Sequence, residues 1–252
     1  MIKVIINADD LGLNEMVNSQ IELALKNHWI TSSTILANTN YWEHIIKIVK
    51  KFPKASFGIH LNLTEGISLT NSSILKKYGI INEDGYFTRK IHSIKNFTPE
   101  LKEAIFIELS SQFELIKIKG IKISHIDGHH HCHTIKGLED IVLKLALKYN
   151  IEKIRNQYYW PLSNPFFKHD YRWKIFIKNN SLISTTYFNA YKSAFLKIKK
   201  FPIIHSFLMN NLTVELMCHP GHPSFINEMQ LIKTFSLEKY LKNIKYINYS
   251  NL

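Results

Sequence analysis

Short apolar runs alternate along the chain with longer stretches in which apolar residues recur at three- and four-residue spacing. That alternation predicts repeated βα units feeding a largely parallel sheet. Val4 to Ile6 reads as a first strand, and Asn14 as the cap of a helix lining Val17, Ile21, Ala24 and Leu25 on one face. A second strand is expected at Ile35 to Ala37, a helix from Tyr41 to Phe52 closed by Pro53, and a strand at Phe57 to Leu63. Thr98-Pro99-Glu100 opens a helix running to Lys117, because Thr caps well and Pro suits the first helical position. Further strands are expected at Ile121 to Ile126, from Lys153 to Arg155 and at Val214 to Cys218, with helices at Leu138 to Tyr149 and Leu231 to Leu241. Gly66 to Phe97 has few periodic apolar positions and a turn at Asp84-Gly85, the pattern of a long excursion over a barrel mouth. Gln157 to Asn211 is aromatic and irregular and predicts no definite elements.

The chain has 252 residues, 45% of them hydrophobic and 21% charged, which is the composition of a packed globular protein. Neither an internal repeat nor a low-complexity linker divides it, so residues 1 to 252 read as one domain. The formal charge of +12 invites a nucleic-acid reading. The basic residues are mostly scattered lysines without aromatic-basic alternation, however, and the run Lys192 to Lys200 reads as a solvated helix face, so no nucleic-acid partner is expected. Cys132 and Cys218 are too few for a disulfide scaffold and read as buried small residues. No apolar stretch has the length of a signal peptide or a membrane span, so a cytoplasmic protein without a membrane partner is expected. Homo-oligomerisation stays open.

Four polar clusters follow or end the clearest strands: Asp9-Asp10 with Gly12, His60 with Asn62, His125 to His133, and His219-Pro220-Gly221. In parallel α/β folds the loops at the carboxyl ends of the strands converge on a site, so these clusters are expected to meet. An isolated Asp-Asp pair would ordinarily make an Asx turn into the first helix. The segment His125-Ile126-Asp127-Gly128-His129-His130-His131-Cys132-His133 changes that reading, because five histidines and an aspartate in nine residues suit metal binding better than packing. One or two of these imidazoles would bind an ion and the others orient ligands or touch substrate; His129 and His133 share a face if the segment is helical. His60 alone would be a core histidine, but at the same sheet edge it becomes the natural partner of Asp10. An aspartate with two histidines leaves coordination positions open, as catalytic sites require, and suits zinc or, with added waters, magnesium. His219, stiffened by Pro220, fits a general acid titrating near neutrality.

The segments Asn7-Ala8-Asp9-Asp10-Leu11-Gly12, Gly58-Ile59-His60-Leu61-Asn62-Leu63-Thr64, His125 to His133 and Met217-Cys218-His219-Pro220-Gly221 together closely resemble the YdjC-like family, that of the ChbG-type carbohydrate (chitooligosaccharide) deacetylases. The resemblance implies a variant (β/α) barrel related to the polysaccharide deacetylases. It implies a divalent ion bound by Asp10, His60 and His129, with Asp9 as general base. Leu11 stands where the family usually has Phe. Residues 66 to 97 and 157 to 211 match no motif of the family.

The expected reaction is metal-dependent hydrolysis of the acetamide of an N-acetylated amino sugar or short oligosaccharide by a water activated on the ion. Asp9 takes the water proton and His219 protonates the leaving amine. Asp127 holds a ligand imidazole in its tautomer, and Arg155 holds Asp9 or stabilises the oxyanion. Tyr158, Tyr159 and Trp160 are candidates for a sugar platform. The competing readings are another metal-dependent hydrolase such as a phosphoesterase and, on the charge alone, a nucleic-acid-binding protein.

Overall fold

Six strands form one parallel sheet in the order β4-β3-β2-β1-β6-β5. They are β1 (Ile2–Leu11), β2 (Ser32–Ile35), β3 (Ser56–Leu61), β4 (Ile126–Gly128), β5 (Tyr187–Ala190) and β6 (Thr213–Cys218). A seventh, β7 (Ile244–Tyr246), lies parallel to the first residues of β1, while β2 pairs with the last ones. The computed structural model describes residues 1–158, 171–200 and 211–252.

The sheet curls until its ends approach across residues 153–158. Ile126 N–H donates to Lys153 O at 3.0 Å and Arg155 N–H to Ile126 O at 2.8 Å, tying this segment to β4. On its other side Ile154 N–H reaches Ile183 O at 2.9 Å and Phe188 N–H of β5 reaches Tyr158 O at 3.0 Å. The strand expected at Lys153 to Arg155 is therefore a stave of the barrel held by isolated bridges.

The period of two in the strands sorts the two faces of the barrel wall. Val4, Ile6 and Ala8 of β1, Phe57, Ile59 and Leu61 of β3, Ile126, Ile154, and Val214 and Leu216 of β6 all join the main apolar core under the helices. Their alternates Asn7, Asp9, His60, His125, Asp127, Arg155 and Glu215 are buried polar groups. All but His125, which bonds Ser124 and stacks on Tyr249, form one hydrogen-bonded and ion-paired set. Ile5, Ile247 and Tyr249 make a separate apolar cluster.

The helices are α1 (Glu15–Lys26), α2 (Trp42–Lys51), α3 (Ser73–Lys77), α4 (Pro99–Ile118), α5 (Glu139–Lys148), α6 (Tyr171–Asn179), α7 (Tyr191–Lys200) and α8 (Glu228–Thr234). Asn14 caps α1 through Val17 N–H at 2.9 Å and Thr98 caps α4 through Leu101 N–H at 3.3 Å, as their sequences predict. The Lys192 to Lys200 run lies on α7, whose buried side is Tyr191, Ala194 and Ile198.

Three elements differ from expectation for identifiable reasons. The second strand begins at Ser32 instead of Ile35, because Ser32, Ser33 and Thr34 are buried by hydrogen bonding; Ser32 Oγ donates to Asn7 Oδ1 at 2.6 Å and Ser33 Oγ to Ala8 O at 2.7 Å. The fourth ladder begins only at Ile126, although Ser124 N–H and His125 O already bond to Phe57 and Ile59 of β3. The last helix ends at Thr234 and is followed by a single turn at Leu237–Lys239.

Candidate active site

Strict alternation along β1 would turn Asp9 into the barrel and Asp10 out of it. A register shift between Ala8 and Leu11 and a left-handed Asp10 (φ 70°) break the alternation. Aspartate tolerates that conformation better than most residues. Gly12 continues the turn with φ 108°, and its N–H donates to Asn18 Oδ1 at 2.7 Å. Both carboxylates consequently line one cleft of about 480 Å³ with His60, His129, His131 and His219.

Asp10 Oδ1 lies 2.9 Å from His129 Nδ1 and 3.3 Å from His60 Nε2. No donor among the described residues is aligned to hydrogen-bond this buried oxygen. One ligand atom from each of Asp10, His60 and His129 lies within 4.8 Å of the other two, so a single cation can be reached by all three. An unsatisfied buried carboxylate oxygen facing two imidazole nitrogens is a donor set able to hold a divalent cation.

The outer nitrogens of the two imidazoles are also engaged. His60 Nδ1 is 2.6 Å from Asp127 Oδ1, and Asp127 Oδ2 accepts from Thr34 Oγ1 at 3.0 Å. His129 Nε2 is 3.1 Å from Glu65 Oε2. Such partners fix ring orientation and raise ligand basicity. Burial disfavours charge on both rings, but the surrounding carboxylates prevail: the pKa of His60 is raised to about 10 and that of His129 is also raised. The site thus attracts positive charge strongly.

Arg155 is fully buried and forks onto Asp9, with Nη1 donating to Oδ2 at 2.7 Å and Nη2 to Oδ1 at 2.6 Å. The same guanidinium pairs with Asp127 Oδ2 and with Glu215 Oε1, each at 2.8 Å. Burial would raise the Asp9 pKa, yet Arg155 outweighs it and holds the carboxyl well below its usual range. Glu215 also accepts a short hydrogen bond from the Tyr249 hydroxyl, and burial pushes its pKa up to about 7 against the pull of Arg155. Of the two roles expected for Arg155, the geometry favours holding Asp9.

His219 Nε2 stands 4.0 Å from Asp9 Oδ2 and lines the same cleft as Asp10, His60 and His129. Its Nδ1 is 3.2 Å from Glu228 Oε2, which also accepts the His219 backbone N–H at 2.7 Å, and its ring stacks on Phe225. Burial opposes protonation here too, but Glu228 and Asp9 raise the pKa.

His133 does not join this group. His130 and His131 both adopt left-handed backbone (φ 48° and 57°), so His129 to His133 is not a regular helix and has no shared face for His129 and His133. His133 is buried edge-on against Trp173, and neither ring nitrogen has a hydrogen-bond partner among the described residues. Tyr158 packs with Tyr171 and Tyr187, whereas Tyr159 and Trp160 lie outside the described residues. Cys132 and Cys218 are free and buried, as expected.

Sequence reasoning missed Glu65, Thr34, Glu215 and Glu228. Glu65 directly continues the His60 segment and was open to notice. Glu228 sits nine residues beyond His219 on another element, and Thr34 and Glu215 occupy strand positions with no local motif.

Comparison with known proteins gives a consistent picture. The family described as YdjC-like protein matches residues 3–246. A protein of Clostridium beijerinckii named carbohydrate deacetylase is 27% identical, the match covering 99% of this chain and 100% of that protein. A Vibrio cholerae carbohydrate deacetylase is 34% identical over 59% of this chain and 57% of its own length. Among solved structures, a candidate cellobiose-phosphate cleavage protein of Enterococcus faecalis superposes with a TM-score of 0.74, covering 99% of this chain and 98% of that one at 22% identity. That last likeness concerns the fold. Among the described residues, no helix is long and apolar enough to cross a membrane.

Proposed function

The chain belongs to the YdjC-like family, and from that premise we propose that it is a metal-dependent carbohydrate deacetylase hydrolysing the acetamide of an acetylated amino sugar. The observation that carries this reading is the placement of a guanidinium-clamped Asp9 between the Asp10, His60 and His129 cluster and the His219 imidazole. Asp10, His60 and His129 would hold the ion, magnesium or zinc. When bound, it supplies Lewis acidity that polarises the acetyl carbonyl and acidifies a water.

The chain's own groups provide the proton transfers. Asp9 is kept anionic by Arg155 and oriented by Asn7, whose Nδ2 donates to Oδ1 at 2.8 Å. It accepts the proton of the attacking water as the carbonyl carbon forms its new C–O bond. His219, oriented by Glu228 and with its protonated form favoured by Glu228 and Asp9, delivers a proton to the sugar nitrogen as the C–N bond breaks. Acetic acid and the free amine leave, and the proton held by Asp9 returns to His219, whose Nε2 stands 4.0 Å from Asp9 Oδ2, so atoms and charge balance and both groups are restored. Asp127 and Glu65 hold the two imidazoles from behind.

The test is release of acetate from N,N′-diacetylchitobiose with a divalent ion supplied. If no acetylated amino sugar yields acetate although metal binding is demonstrated, the reading is wrong. Hydrolysis of a phosphate-ester panel under those conditions would instead favour a phosphoesterase.

A further inference from the structure

The proton transfers use Asp9 directly and Arg155 as its clamp, but neither Glu215 nor Tyr249, although all four are buried in one chain of contacts. Glu215 stands in register with Ile5 of β1, nearer the amino ends of the strands than Asp9, and accepts the Arg155 Nε–H on Oε1 at 2.8 Å. Its other oxygen accepts the short hydrogen bond from the Tyr249 hydroxyl. With Asp127, three carboxylates surround one guanidinium. That excess of buried acids is unfavourable for stability taken alone, and such departures gather at functional sites.

Tyr249 reaches Glu215 from the segment that follows β7, and that segment is tied down on three sides. Ile247 N–H donates to Val4 O of β1 at 2.9 Å, and Tyr249 N–H to Ser56 Oγ of β3 at 3.0 Å. Lys153, two residues before Arg155 on the same stave, donates through Nζ to Ser250 O at 3.1 Å. The phenol ring lies flat on His125, with ring centroids 3.5 Å apart and planes 9° from parallel. The hydroxyl is thereby held against Glu215.

Two parallel bonds tie the guanidinium to Asp9 but let the pair swing together; the third, from Nε to Glu215, pins the guanidinium plane to the barrel wall. Tyr249 in turn fixes the carboxylate that receives this bond. We propose that Tyr249 and Glu215 are positioning residues for Asp9: the hydroxyl orients Glu215, Glu215 sets the plane of Arg155, and Arg155 aims Asp9 at the attacking water. The part assigned to Asp9 rests on the deacetylase reading, whereas the mechanical link from Tyr249 to Arg155 stands apart from it.

Tyr249→Phe keeps the stack on His125 and removes only the hydroxyl. It is expected to lower kcat for N,N′-diacetylchitobiose about tenfold while KM changes less than about twofold. Glu215→Ala should lose at least as much, whereas Glu215→Gln keeps an oxygen for Nε and an amide for the Tyr249 oxygen and should recover most of the rate. Ile247→Ala loosens the packing of the same segment without touching these bonds, so it should lower the urea midpoint and leave kcat at the wild-type value. Wild-type kcat in Tyr249→Phe, an equal loss in Ile247→Ala, or a Glu215→Gln variant as slow as Glu215→Ala overturns the proposal. Solvent exchange of the Arg155 Nε–H, followed by NMR, reads the link without turnover and should quicken about tenfold in Tyr249→Phe but not in Ile247→Ala. In a protein that releases no acetate, the faster exchange upholds the link and removes the hydrolytic reading alone, and unchanged exchange overturns the link.

Discussion

Arg155 and Asp9, 146 residues apart in the chain, meet through two parallel hydrogen bonds of 2.7 and 2.6 Å inside the barrel. A planar fork on a carboxylate fixes both its charge and its orientation. Arg155→Lys keeps the charge but loses the fork, and is expected to lower kcat about a hundredfold or more, with a smaller effect on KM, in steady-state kinetics. Arg155→Met leaves three carboxylates without their shared cation and should destabilise the fold by about 3–5 kcal/mol in urea titration. Wild-type kcat in Arg155→Lys would show that Asp9 does not need this partner.

Asp127 tests the support behind His60. Asp127→Asn is expected to weaken divalent-ion binding about 10–100-fold, measured by calorimetry, because the imidazole loses the anion behind Nδ1. Unchanged ion affinity would remove His60 from the ligand set or Asp127 from its support.

Loss of the ion should be visible in stability as well as in activity. A chelator is expected to lower the unfolding temperature, and a divalent ion at a hundred times its dissociation constant to add about 2.7 kcal/mol. Asp10→Ala should abolish that increment. A thermal melt indifferent to zinc and magnesium would argue against the cluster as a resident metal site.

Acid sensitivity has a definite sign. Burial lowers the pKa of His133 well below 6.5, so as pH falls through the ordinary histidine range the unfolded chain takes up a proton that the folded chain refuses. Its effect on stability is absent above that range and increasingly unfavourable below it, with a limiting slope of about 1.4 kcal/mol per pH unit. Glu215 works in the opposite sense: with its pKa raised to about 7, it favours the folded state at low pH and loses that contribution as pH rises through 7. Urea midpoints between pH 5 and 8 should show a shallower acid slope in His133→Phe than in the wild type; equal slopes would mean that His133 titrates normally when folded.

Gly58 is matched to His125. A Cβ at this position would stand 2.5 Å from His125 Cε1, and that ring cannot retreat because it stacks on Tyr249 at 3.5 Å. Gly58→Ala is expected to cost about 1–3 kcal/mol in urea unfolding. A neutral substitution would show that the stack can shift.

The strands and caps were legible where local patterns sufficed. Val4 to Ile6 declared a strand by its apolar run, and Asn14 and Thr98 declared helix starts by their chemistry. Asp10, His60 and His129 were legible because each stands at the carboxyl end of a strand and the pattern resembles a known family. Ser32 to Thr34 stayed hidden because their burial depends on hydrogen bonds to other strands, which no local hydrophobic pattern records. The inward turn of Asp10 depends on a bulge, and the face that His129 and His133 would share in a helix is absent because two consecutive left-handed residues cancel helical spacing. Glu65, Glu215 and Glu228 are ordinary acidic residues until the fold places them against His129, Arg155 and His219.

The stave from 153 to 158 is joined to its neighbours by isolated bridges, yet it carries the guanidinium that clamps Asp9. A slight gape along this seam would unseat Asp9 while every helix stayed in place. Warming is therefore expected to silence the enzyme a few degrees before it melts, with amide exchange at Ile154 and Arg155 quickening first.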